Sequence, residues 1–156
     1  SSDGYCWGNK YTDLPIGHPV DVTIDNINYI KDSTGDLVRI QQLLQTEGKV
    51  FNGGDPITYP ALAAGCVGCV WGAINFIPEE AVELYGLVQE GKLSEANLLW
   101  QRLLPSQLFI WTHVYNSAVK SAANYRGFNV GQCRAPVLPL NNQDLSILTQ
   151  NLDKIG

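Results

Sequence analysis

The chain has 156 residues, of which 45% are hydrophobic and 16% charged, enough for one domain with a sizeable core. A formal net charge of −5 argues against a nucleic-acid partner, which wants a basic face, and no apolar run reaches the roughly 18–20 residues of a membrane span. The opening residues SSDGYCWGNK lack the apolar stretch of a secretory signal, and the chain has no Met, so it is expected to be a processed chain or a piece of something larger.

Residues 1–25 read as irregular, with Gly4, Gly8, Pro15, Gly17 and Pro19. Ile27–Lys31 (INYIK) is short, β-branched and aromatic, which predicts a strand. The turn Asp32-Ser33-Thr34-Gly35-Asp36 supplies N-cap candidates for a helix carried by Leu37, Ile40, Leu43 and Leu44 and stopped at Gly48. Lys49–Gly53 predicts a second strand, Pro60–Ala64 a short helix, and Cys66–Gly72 a third strand with the unbroken apolar run of a parallel sheet. Pro78-Glu79-Glu80 marks a helix start, with Ala81, Leu84, Tyr85 and Val88 as its inner face and Gly91 as its end. Helical spacing continues from Ser94 to Tyr125, with a break or kink expected at Pro105 and closure at Gly127. Residues 128–141 read as extended and Pro-rich, and Asp144–Ile155 as a last amphipathic helix.

Strands alternating with helices imply a parallel sheet with right-handed crossovers. Three parallel strands leave two open edges, so the expected architecture is part of a larger α/β barrel. Its active site would lie at the C-terminal strand ends, where Lys31 sits. A free lysine amine, with a pKa of about 10.4, is almost wholly charged at neutral pH, and burial disfavours the charged form. The neutral amine attacks a ketone and gives an imine, which, once protonated, draws electrons from the adjacent carbon. A lysine that merely snorkels out at a strand end is the plain alternative.

INYIKDSTGDL, followed in order by VFNGGD, GCVGCVWGAINFIPEEAVELY and YNSAVKSAANYRG, resembles the dihydrodipicolinate synthase / N-acetylneuraminate lyase family over residues 26–140. These are class I pyruvate-type aldolases on a (β/α)8 barrel. The resemblance implies that residues 26–156 are the C-terminal portion of such a barrel, strands six to eight, plus extra C-terminal helices. Residues 1–25 would hold the end of strand five and the loop after it. It implies that Lys31 forms the Schiff base with pyruvate or a 2-keto-3-deoxy sugar acid. Tyr5 stands where the family has a proton-shuttling tyrosine, although Cys6 and Gly8 replace the Asn and Pro of the family's Y-N-x-P, and Lys10 falls where a carboxylate-binding Arg is frequent. Gly53 and Asp55 would face the pyruvyl end of the site, Val70 would offer its backbone to the substrate carboxylate, and Trp71 and Gly72 would line the pocket above it.

Several residues keep structural alternatives. Asp55 could serve as a turn residue, Ser33 and Thr34 as caps, and Asn75 and Pro78 as a turn and a helix start. Trp100, Phe109, Trp111 and Tyr115 have the spacing of core or oligomer surface, and His18 and His113 read as structural. Cys66 and Cys69 form a C-x-x-C with no second ligand pair, so both read as small buried residues in a reducing, cytoplasmic setting. No metal or cofactor is implied. The expected partners are a small keto acid and either further copies of the chain or the missing half of the barrel. A catalytically inactive fragment or subunit, acting only in binding or assembly, is the competing reading.

Overall fold

Backbone pairing in the computed structural model, which describes residues 28–156, joins three short parallel strands: β1 (Tyr29–Asp32), β2 (Lys49–Asn52) and β3 (Gly68–Cys69), in that spatial order. The register sets Ile30 beside Val50, Lys31 beside Phe51, and Asp32 beside Asn52. Residues on a strand alternate between faces, so Ile30 and Val50 share one face while Tyr29, Lys31 and Phe51 share the other. The first face packs on α1 (Leu37–Leu43) and α2 (Thr58–Ala64), where Ile40, Leu43, Val50, Ala61 and Cys66 form the buried cluster.

The described chain divides at Trp71/Gly72 into two compact units. The second is helical: α3 (Pro78–Gln89), α4 (Leu93–Thr112), α5 (Tyr115–Tyr125) and α6 (Asn142–Leu152). α4 packs against α3, α5 and α6 and buries Leu99, Trp100, Leu103, Phe109 and Ile110. Residues 1–25, with Tyr5 and Lys10, lie outside the described residues.

Three boundaries differ from expectation. The third strand is two residues long, because the Cys66 N–H is held by Ala61 at the end of α2 and a 3-10 turn begins at Gly72. Pro105 lies inside α4 without ending it; the inward face around it is fully buried at Leu103, Ser106, Gln107 and Ile110, and that packing outweighs the missing N–H. The helical run stops at His113, whose backbone is extended and whose Nδ1 lies 2.8 Å from the Phe109 carbonyl oxygen. Pro78 and Gly91 act as read: Pro78 opens α3, and Gly91 takes a left-handed φ of 73° just past its end.

A candidate lysine site at the strand ends

Lys31 is the third residue of β1 and half-buried. It stands on the sheet face opposite the helices, beside Phe51. That face carries aromatic surface: the Tyr29 and Phe51 ring centroids are 5.9 Å apart, and Lys49 Nζ lies 5.3 Å from the Tyr29 ring. The Phe51 ring packs against Gly68, where a Cβ would come within 2.8 Å of it.

Gly53 gives the lysine its path. A Cβ there would lie 2.7 Å from Lys31 Cε and would collide with Ser33 Oγ. Both atoms end flexible side chains, so an added methyl would have to displace the lysine stem and the serine hydroxyl, and the Asp32 carbonyl oxygen lies 3.0 Å from its position. A Cβ on the neighbouring Gly54 would come 3.0 Å from the Gly35 Cα.

Two buried polar residues hold the loops around this point. Asp32 is buried; its carboxylate accepts the Thr34 N–H at 2.9 Å and Arg39 Nε at 2.8 Å, tying the turn after the lysine to α1. Its backbone carbonyl accepts the Gly53 N–H at 2.6 Å. Asn52, fully buried, closes a two-way clamp on the next loop: Nδ2 donates to the Gly54 carbonyl at 2.8 Å, and Oδ1 accepts the Gly54 N–H at 2.9 Å. Asn52 Nδ2 also lies 3.3 Å from Thr58 Oγ1. Buried polar groups are tolerated where each finds a partner, and here the partners are the loop backbones themselves.

Of the other residues singled out in the sequence, Asp55 is buried at the start of a 3-10 turn and Trp71 is buried. The Val70 side chain is half exposed, but its N–H donates to the Asn52 carbonyl at 2.8 Å. That bond occupies the N–H which the resemblance assigns to a substrate carboxylate. The N–H groups of Gly53 and Gly54 are committed in the same way. In the helical unit, Gly72 lies under the Tyr115 hydroxyl, whose position a Cβ would invade. Ser33 and Thr34 do not cap α1; Asp36 does, accepting the Val38 N–H at 2.8 Å.

The sequence reading missed Asn52 as a clamp and Asp32 as the partner of Arg39. Asp32 and Asn52 each end a strand just before a turn, and Arg39 follows Asp32 by seven positions, but residue type alone does not say which groups these side chains meet. Cys66, Cys69 and Cys133 are free thiols. Burial pushes Cys66 up to about 11 and Cys69 up to about 12, so both are protonated at neutral pH and poorly nucleophilic.

A model described as "Dihydrodipicolinate synthetase family" matches residues 21–155. The chain is 31% identical over 152 residues to the 4-hydroxy-tetrahydrodipicolinate synthase of Oceanobacillus iheyensis, covering 95% of this chain and 50% of that protein. It is 27% identical over 136 residues to that of Thermoanaerobacter sp. strain X514, covering 85% of this chain and 46% of the relative. The crystal structure of a dihydrodipicolinate synthase from Bacillus anthracis superposes with a TM-score of 0.77 at 30% identity, covering 85% of this chain and 47% of that one. The chain thus spans about half the length of the curated relatives it matches.

Proposed function

The chain belongs to the dihydrodipicolinate synthetase family, and on that footing we propose that it carries the Schiff-base half of a class I aldolase or synthase. The three parallel strands are read as the sixth to eighth of a (β/α)8 barrel, and the sheet face bearing Lys31 as the barrel interior. The single observation that supports this best is the lysine stem crossing Gly53 at a strand end, on an aromatic face away from the helices.

The chemistry follows from the amine. Neutral Lys31 Nζ adds to the ketone of pyruvate or a 2-keto-3-deoxy sugar acid and expels water. The protonated imine then draws electrons from the adjacent carbon, which loses a proton to give an enamine. The enamine adds to an aldehyde in the synthetic direction; in the reverse direction the carbon–carbon bond breaks. Tyr5 is the assigned proton shuttle. Asp55 and Trp71 are assigned to the substrate pocket, and Gly72 is kept there by resemblance. With the N–H groups of Gly53, Gly54 and Val70 committed, the carboxylate is assigned to donors elsewhere, as on the early strands that grip it in the family. The site is read as complete only in an assembly, in a cytoplasmic setting.

Half-length coverage of the relatives favours a second reading, in which this chain acts in binding or assembly alone. Deuterium wash-in separates the two without an aldehyde partner. Pyruvate is incubated with the chain in heavy water, and its methyl signal is followed by proton NMR. Faster exchange than with Lys31→Ala is the expected result; equal rates would overturn the catalytic reading.

A further inference from the structure

The helical unit contains a cleft of about 800 Å³ between α5 and the extended segment that follows it. Its size falls within the roughly 300–1,000 Å³ of small-molecule sites. One wall is a single stripe of α5: Asn116, Val119, Lys120 and Ala123, at helical spacing. The other wall is the chain after the helix, including Phe128, Val130 and Arg134.

Side chains hold that second wall against the helix. Asn124 Nδ2 donates to the Gly131 carbonyl at 2.9 Å, and the Gly131 N–H returns to Asn124 Oδ1 at 3.1 Å. Lys120 Nζ donates to the Gln132 carbonyl at 3.0 Å, and Ser117 Oγ to that of Leu138 at 2.5 Å. Donors at 117, 120 and 124 therefore fasten residues 131–138, and the space between the walls is built into the fold.

The lining has a clear chemical character. Lys120 and Arg134 are cations, Asn75 and Asn116 supply amides, and no carboxylate among the described residues lines the cleft. The Arg134 guanidinium has no hydrogen bond or ion pair among the described residues, and Lys120 has N–H capacity beyond its one bond. Phe128 and Val130 are each about half exposed, leaving hydrocarbon surface beside the charges. The net charge of −5 repels anions at long range, but the Debye length of about 10 Å at 0.1 M salt leaves the two local cations in control.

We propose that this cleft binds a small organic carboxylate with an apolar body, its carboxylate on Arg134 and Lys120 and its hydrocarbon against Phe128, Val130 and Val119. A planar guanidinium fork suits a carboxylate, and the apolar wall disfavours a bare inorganic anion. The assignment is independent of Lys31.

Phenylacetate and phenethylamine, alike in shape and opposite in charge, test it. Each is titrated into the full chain and followed by amide NMR. Phenylacetate is expected to give saturable shifts over residues 116–137, with phenethylamine giving none there. Arg134→Gln should weaken phenylacetate binding about tenfold, the loss of one charge-assisted contact. Arg134→Lys should recover part of it. Arg134 is the variant of choice because Lys120 also fastens the wall, so Lys120→Gln could loosen the cleft itself. Equal responses to the two probes, non-saturating shifts, or an unchanged midpoint in Arg134→Gln would overturn the proposal.

Discussion

The sheet unit and the helical unit bury different things. Up to Trp71 the buried polar set includes Asp32 and Asn52 at strand ends, Asp55 in the turn after β2, and Thr58 at the start of α2. From Gly72 onward the interior is hydrocarbon, and its buried polar residues are Ser106, Gln107 and Ser117, two of which bond the adjacent Leu103 carbonyl within their own helix. Burying a polar group is costly unless it is bonded. In the helical unit Ser106 and Gln107 bond within their own helix, Gln107 Oε1 has no hydrogen-bond partner among the described residues, and Ser117 reaches the Leu138 carbonyl. In the sheet unit the buried polar groups fix loops beside one lysine. The contrast marks the strand ends as the place where geometry is held tightly.

Four changes sharpen or break this comparison, from the largest effect down. Leu103→Ala should destabilise the helical unit by about 2–5 kcal/mol, the range for deleting a buried leucine side chain. Urea unfolding would show the loss while pyruvate trapping at Lys31 stays constant, and a parallel fall in trapping would erase the distinction. Asn52→Ala should cost about 1–3 kcal/mol by leaving the buried Gly54 N–H unpaired, while the Gly54 carbonyl keeps the Ile57 N–H at 3.3 Å. Here trapping should fall along with stability, because the loop beside the lysine loses its clamp.

Gly53→Ala should cost about 1–3 kcal/mol, the range for overpacking. Its effect on trapping should be out of proportion to that cost, because the added methyl would lie 2.7 Å from Lys31 Cε and push the stem aside. A normal trapping rate in this variant would mean that the lysine stem does not need that path.

The smallest effect concerns pH. Burial raises Cys66 to about 11 and Cys69 to about 12 from an ordinary 9.0. Between those values an unfolded chain loses thiol protons that the folded chain keeps, so stability should fall as pH rises from about 9 toward 12, with no contribution from these thiols below about 9. Thermal unfolding across that range, compared with a Cys66→Ala/Cys69→Ala double variant, checks this. An equal alkaline slope in both proteins would assign the loss to other groups.

Much of the fold is legible in the residues. The β-branched and aromatic run Ile27–Lys31, Pro78 with its acids and Gly91 announce their elements locally, and the structure places them within a residue or two of the expected boundaries. Pro105 misleads because its effect is decided by packing across the helical unit, which no local pattern reports. The lysine is legible for the same reason as its strand, being a charge at the end of an apolar run. The clamps are not, because Asn52 reads as an ordinary turn residue until its amide is seen facing Gly54 in both directions. The Val70 N–H bond to the Asn52 carbonyl is not legible either: composition does not encode which N–H the parallel ladder takes.

The most direct test is to treat the chain with pyruvate and borohydride, digest it, and locate the reduced adduct by mass spectrometry. The account predicts one modified site, Lys31, with no adduct in Lys31→Arg. An unmodified chain, or label distributed over several lysines, would contradict it.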